Sequence, residues 1–319
     1  MKNNSFGIEI ETTGLGREKT ARAIANLFGS DVTHVGHPHD AWTTCMPDGR
    51  VWSVERDGSV TDPSAEIVSP VCTWEDIAMV QEVVRTVRRA GAKVDGSCGI
   101  HVHVGFTGHT ARSLRTLVNL VNAKEDLLTQ ALGISPERRR RWCQPVNPSF
   151  LAAVNTVKPD TIDQFSKLWY GYNNDRFDEP IDISTPSITR TILNDADYSD
   201  RAATHYDDSR YHLLNLHAAF STERSAHTIE FRAFNGTLHA GKIKAYIQLC
   251  LAINAKALAS STARPDRPET DNPAYAFRCW LLQLGLIGDE FKTARLHLLE
   301  NLPGNAAWRH GDPTTRTRG

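Results

Sequence analysis

The chain has 319 residues, enough for one large or two small domains with an ample core. Hydrophobic residues make up 40% and charged residues 23%, an ordinary globular mix, and the net charge of −1 argues against nucleic-acid or acidic-membrane binding. Six scattered cysteines (Cys45, Cys72, Cys98, Cys143, Cys250, Cys279) form no CxxC pair, so free thiols in a reducing compartment are expected. With no apolar signal run before the first strand and no segment of about 18 apolar residues, a cytoplasmic location is expected and a membrane span is not.

Phe6-Gly7-Ile8-Glu9-Ile10-Glu11 alternates apolar and acidic residues. A strand sends successive side chains to opposite faces, so Phe6, Ile8 and Ile10 share one face and Glu9 and Glu11 the other. Taken alone, this describes a half-buried strand with a solvated outer face. Arg17 to Phe28 has helical apolar spacing, and Asp31 to Val35 is a short strand. His37-Pro38-His39-Asp40 is read as a polar loop tip in preference to a metal site. Residues 41 to 54 read as a hairpin turning at Pro47-Asp48-Gly49-Arg50. A turn at Asp57-Gly58-Ser59 leads to a strand at Ala65 to Pro70 that carries Glu66. Glu75 to Ala90 is a helix closed by Gly91.

Lys93 to Phe106 reads as strand, Gly-rich turn and strand, with His101 and His103 on one face and Ile100, Val102 and Val104 on the other. Thr110 to Leu132 is expected to be one long helix. The Arg138 to Arg141 run is expected on a solvated helix face. Helices follow at Asn147 to Val157 and Thr161 to Tyr170, then a polar stretch from Asn173 to Asp208 read as loops beside the site. Tyr211 to Phe220 reads as a strand, Thr222 to Ala226 as a turn, and Thr228 to Phe234 as a strand with Glu230 and Arg232 on one face. A helix at Gly241 to Ser260, a Pro-rich linker at Ala263 to Pro273, helices over about 274 to 286 and 288 to 300 and a frayed tail complete the chain. Hence 1–262 is expected as the catalytic domain with an irregular insertion at 133–208, 263–302 as a helical extension and 303–319 as a polar tail.

Four strands thus present ionisable side chains in alternation: Glu9 and Glu11, Glu66, His101 and His103, and Glu230 with Arg232. Flanking helices need the opposite faces as core, which leaves one sheet face lined by four Glu and two His. Clustered carboxylates need cations. Hard oxygen ligands with imidazole suit Mg²⁺ or Mn²⁺ better than zinc, so a site for more than one ion with nucleotide phosphates is expected, Arg232 pointing at the phosphates. Gly236-Thr237-Leu238-His239-Ala240-Gly241-Lys242 fits GxxxxGK, but Ile243 stands where a phosphate loop needs Ser or Thr. Lys242 is therefore read as a first-turn helix residue near the surface.

FGIEIE, the DGS at Asp57 followed by AEIVSP, CGIHVHVGF, RYHLLNL and TIEFRAFNGT stand in an order that resembles the amidoligase family. That family is related to carboxylate–amine ligases of the glutamine synthetase and glutamate–cysteine ligase type. The resemblance covers residue 5 to about 255. It implies an α+β fold: a curved antiparallel sheet, helices on its convex face and an open concave active-site face. It implies ATP with two or more Mg²⁺ or Mn²⁺ ions. Glu9, Glu11, Glu66, His101 and Glu230 would be metal ligands. Arg232 and His103 would act in catalysis, and Arg232, His101 and Arg210 would contact the nucleotide. Asp57 and Glu55 are candidates for the general base, and Arg190 and Arg176 for nucleotide-loop arginines. The implied activity is ATP-dependent amide-bond formation, peptide or isopeptide, through an acyl phosphate, between carboxylate and amine substrates that are amino acids, peptides or proteins. The alternatives are a phosphotransferase of guanidino-kinase type, a non-catalytic nucleotide-binding module, or a zinc or manganese hydrolase.

Overall fold

A computed structural model describes residues 1–36, 38–173, 186–194, 198–223 and 226–309. His37, Arg176, residues 224 and 225 of the expected turn and the tail from 310 lie outside the described residues. In chain order the elements are β1 (Phe6–Thr13), α1 (Arg17–Phe28), β2 (Val32–Gly36), β3 (Ala41–Cys45), β4 (Val51–Glu55), β5 (Ser64–Val68), α2 (Ile77–Arg89) and β6 (Gly99–Gly105). Helices α3 (Ala111–Asn122), α4 (Glu125–Ala131), α5 (Pro136–Arg141), α6 (Pro148–Val157), α7 (Ile162–Tyr172), α8 (Pro186–Asn194) and α9 (Tyr198–Ala202) follow. The chain ends with β7 (Leu214–Asn215), α10 (His217–Phe220), β8 (Thr228–Asn235), α11 (Ala240–Ala259), α12 (Pro273–Gln283) and α13 (Lys292–Leu299).

The strands form one open eight-stranded sheet in the order β2-β3-β4-β5-β1-β6-β8-β7, so the expected mixture of antiparallel sheet and helices is found. The chain groups into two compact units, the first of 1–104, 233–251 and 278–301, the second of 105–232, 252–277 and 302–319. Strand β8 and helix α11 each run through both.

In the first unit, period-two alternation does the work expected of it. Ile8, Ile10, Trp52, Val54, Ile67, Ile100, Val102 and Val104 are buried together with the valines of α2 and with Ile24 of α1. Removing that apolar area from water, at roughly 25 cal/mol per Å², is what fixes the helices to this face. The opposite face is left for polar groups. Helix α1 stops at Gly29, whose φ of 65° is the left-handed value a glycine adopts without cost.

The second unit is mainly helical. Here the expected long helix is two: α3 ends at Asn122 and α4 begins at Glu125. No Gly or Pro marks the break. Glu125 is fully buried, accepts the Val146 N–H at 2.8 Å and pairs with Arg267. Asn119 and Asn122 donate to the Ala263 and Pro265 carbonyls at 2.9 and 2.7 Å, which pins the end of α3 to the Pro-rich stretch. The expected strand at Tyr211 to Phe220 is also broken up. A 3₁₀ turn covers Asp208–Tyr211, β7 has two residues, and Asn215 Oδ1 accepts the His217 N–H at 2.8 Å to start α10. Before β6, the expected strand from Lys93 reduces to one bridge with Thr13. The arginine run departs from a solvated face at Arg138, which is buried, while Arg140 and Arg141 are exposed.

Candidate functional site

The site is built from backbone register. Strand β1 lies between β5 and β6; Glu9 is opposite His101, Gly7 opposite His103, and Glu11 opposite Glu66. On the next strand Glu55 is opposite Glu66. Directly opposed residues share a face, so these side chains come together without any loop having to position them. The sequence-based grouping of Glu9, Glu11, Glu66, His101 and His103 is therefore found within the first unit.

Two imidazoles hold Glu9. Its carboxylate oxygens lie 3.0 Å from His101 Nδ1 and 3.1 Å from His103 Nε2. Glu11 is buried; its Oε2 accepts the Gly99 N–H at 2.5 Å, and its Oε1 lies 3.7 Å from His101 Nε2. The Gly99 donor sits at the start of β6, where the chain passes against Gly236. A Cβ built on Gly236 would meet Cys98 Cβ at 2.6 Å, so only glycine permits this approach, and the Gly236 N–H donates to the Cys98 carbonyl at 2.9 Å. Asp57 is fixed by its own turn, with Oδ1 accepting from the Ser59 N–H and hydroxyl, both at 2.5 Å. Glu55 accepts the Ser53 hydroxyl at 2.6 Å.

The carboxylates differ sharply in charge environment. Burial pushes Glu9 up, but His103 and His101 outweigh it and hold Glu9 well below the usual carboxylate range. Burial pushes Glu66 the same way, and there the neighbouring Glu9, Asp57, Glu11 and Glu55 add to it, so Glu66 is held well above that range. Among the described residues no hydrogen bond or ion pair reaches the Glu66 carboxylate.

Candidate ligand atoms of Glu9, Glu66 and His101 lie within 4.8 Å of one another, and so do those of Glu11, Asp57 and Glu66. Glu66 belongs to both groups. Carboxylate oxygens with one imidazole fit a hard divalent cation. The sequence pattern of the family described as "Putative amidoligase enzyme" matches residues 2–254. This chain belongs to the amidoligase family. No curated protein matches it.

Asp57 was expected in this amidoligase-family chain as a general base, and its place beside Glu11 and Glu66 was not legible in the sequence. A DGS turn alone does not say which strand face it overhangs. In the second unit, Glu230 and Arg232 of β8 are buried and joined by an ion pair of 2.5 Å, and Asn215 of β7 donates to the other Glu230 oxygen at 2.6 Å. Asn215 is thus a positioning residue missed at the sequence level, where it was only one polar residue of an alternating run. Arg210 lies over the Tyr206 and Tyr211 rings at 4.9 and 5.8 Å. Arg190 is exposed. Lys242 is indeed a first-turn residue of α11, and its ammonium pairs with Glu300 at 2.5 Å. Asp40 is engaged by Arg17 and His34, both at 2.8 Å.

Proposed function

We propose that this protein is an ATP-dependent carboxylate–amine ligase of the glutamine synthetase-related kind, with divalent cations on the polar face of β1, β5 and β6. The observation that carries this is Glu66: a half-buried carboxylate amid four others, with no cationic side chain of its own. An uncompensated carboxylate cluster costs stability, and a divalent cation removes that cost. Glu9, Glu66 and His101 would hold one ion, and Glu11, Asp57 and Glu66 another. When bound, Mg²⁺ or Mn²⁺ would neutralise charge on phosphate oxygens.

The residues have separable roles in this scheme. His101 and His103 keep Glu9 ionised, and the Gly99 N–H orients the Glu11 carboxylate. Glu230 and Arg232 enter through the family motif, with Arg232 offsetting phosphate charge. A substrate carboxylate oxygen attacks the γ-phosphorus of ATP, releasing ADP and leaving an acyl phosphate. The amine then attacks the acyl carbon; phosphate leaves and one proton is lost. With Asp57 engaged beside Glu11, Glu55, whose Oε1 accepts the Ser53 hydroxyl, would accept that proton through its other oxygen.

The test is ADP release by the purified protein against panels of carboxylates and amines. Release is expected only with divalent metal and both substrates together, and is expected to fall at least about 100-fold in Glu9→Gln and Glu66→Gln. ADP release that needs no amine and yields a stable phosphorylated product would favour a kinase instead.

A further inference from the structure

The Gly236 to Lys242 stretch, which has the spacing of a phosphate loop without its Ser or Thr, runs into a second cluster of ligating side chains. His239 directly precedes α11, and Gly241 and Lys242 lie in its first turn. His297 lies in the last turn of α13, and Glu300 directly follows that helix. All five belong to the first unit, and none is shared with the carboxylate face. His297 and Glu300 also stand beyond residues 2–254, the span of the family pattern.

The two imidazoles meet edge to face, ring centroids 4.8 Å apart. Gly241 makes the room for them. A Cβ built there would lie 2.8 Å from His297 Nε2 and 3.2 Å from His239 Nδ1, so both nitrogens converge on the space a side chain would fill. Their protonation suits a shared ligand. His297 Nδ1 lies 3.3 Å from Glu300 Oε2. Burial pushes Glu300 up, but Lys242 and His297 outweigh it and keep the carboxylate ionised. An ionised carboxylate only accepts, so the His297 proton sits on Nδ1 and Nε2 keeps its lone pair. His239 Nδ1 is a lone pair too, since it accepts the Lys242 N–H at 3.2 Å. That N–H also reaches the His239 carbonyl at 2.9 Å, so releasing the ring orphans nothing. Partial desolvation, then His297 and Lys242 beside it, hold His239 below its usual value and so neutral. His239 is exposed and the His297 side chain is 12% exposed, so ions from solvent reach the spot.

We propose that His239 Nδ1 and His297 Nε2 bind one divalent cation of the zinc class beside Gly241. Two imidazoles suit Zn²⁺, Ni²⁺ or Cu²⁺ and not Mg²⁺, the reverse of the oxygen-rich face on β1, β5 and β6. Zinc takes its nitrogens at about 2.0 to 2.1 Å; the exposed His239 ring closes that distance by turning, and water completes the four-coordinate shell. Glu300 is the positioning residue, fixing the orientation and tautomer of His297 from behind the ring. Lys242 pairs with the same carboxylate at 2.5 Å, so its charge is offset. The bound ion ties the end of α13 to the start of α11. The proposal does not depend on the carboxylate face or on ligase activity.

The experiment is calorimetric titration of the EDTA-stripped full chain with Zn²⁺ in millimolar Mg²⁺, run beside His297→Asn and Gly241→Ala. Zn²⁺ on the carboxylate face contributes equally to all three proteins, so the readout is the difference between them. Wild type should bind one more Zn²⁺ than His297→Asn, or bind it at least about tenfold more tightly, with a larger Tm gain. Gly241→Ala keeps both histidines and favours the helix, yet puts a methyl group on the spot, so it should lose the same site with unchanged far-UV circular dichroism. Glu300→Ala should weaken the site by about tenfold, and Glu300→Gln, which still accepts from Nδ1, by less. Equal Zn²⁺ binding by wild type and either His297→Asn or Gly241→Ala would overturn the proposal, because the ion would then lie away from the converging nitrogens.

Discussion

Glu66 and Asp76 are carboxylates with opposite fates, and each gives a test. Glu66 is held above the usual range by burial and by four neighbouring acids, so in metal-free protein its ionised form is disfavoured. Its contribution is therefore best below the unfolded carboxylate range and declines as pH rises. Replacing it by Gln removes the repulsion. Glu66→Gln should raise the metal-free Tm at pH 7.5 by about 2 °C, corresponding to roughly 1 kcal/mol, while abolishing any Tm gain from Mn²⁺. A lower metal-free Tm would show that Glu66 is structural. Asp76 is held down at about 2, first by the Arg50 guanidinium, to which it is joined at 2.8 Å, and also by the Thr73 N–H and hydroxyl. Its folded pKa lies below the unfolded value near ~3.9, so its stabilisation is full above that value and is lost as pH falls toward about 2. Screening at the partly exposed Arg50 reduces this to roughly 1 to 2 kcal/mol. Thermal melts from pH 6 to 2 should show a steeper acid decline in wild type than in Arg50→Ala between pH 4 and 2; parallel declines would remove the pair from the explanation.

At the scale of elements, β6 is placed for the site by a neighbour that carries no side chain. Gly236→Ala would drive a methyl group into Cys98 and displace the Gly99 N–H from Glu11. Mn²⁺ affinity should fall by about tenfold or more with unchanged far-UV circular dichroism, because one hydrogen bond to a charged group is worth about 1.5 kcal/mol or more. Unchanged affinity would show that the Gly99 contact does not orient Glu11. The strands β1, β4, β5, β6 and β8 were legible from period-two alternation, because one face of each must be apolar to bury. The break between α3 and α4 was not. Lys124 and Glu125 are good helix formers, and the chain turns there because the buried Glu125 takes its hydrogen bonds from Val146 and Arg267, far along the sequence. Glu125→Ala should accordingly destabilise by about 2 to 3 kcal/mol in urea melts, by orphaning a buried N–H and Arg267 together; a loss under about 0.5 kcal/mol would contradict this. RYHLLNL likewise alternates as a strand does, yet Gln144 bridges either side of His212, its N–H donating to the Tyr211 carbonyl and its carbonyl accepting the Leu213 N–H, both at 2.8 Å, and only two residues remain for β7.

For the whole molecule, net charge of −1 conceals a concentration of negative charge on one sheet face. Composition could not show that; alternation over strands far apart in sequence could, since register converts it into one surface. What alternation could not supply was pairing. Which Glu stands beside which His depends on strand order, with β1 between β5 and β6, and that is set by crossovers, not by any local signal. All six cysteines are free thiols, and among the described residues no helix is long and apolar enough to cross a membrane. The proposed metal centre lies on the face that joins Glu9, Glu11, Asp57, Glu66 and His101. Calorimetric titration of EDTA-stripped protein with Mn²⁺, run in two buffers of different ionisation enthalpy, addresses it directly. Saturable binding of up to two ions is expected, with proton release because the cation displaces the proton from Glu66, affinity rising with pH, and a loss of at least about tenfold in Glu66→Gln. Absence of saturable binding, or the same affinity in wild type and Glu66→Gln, would contradict it.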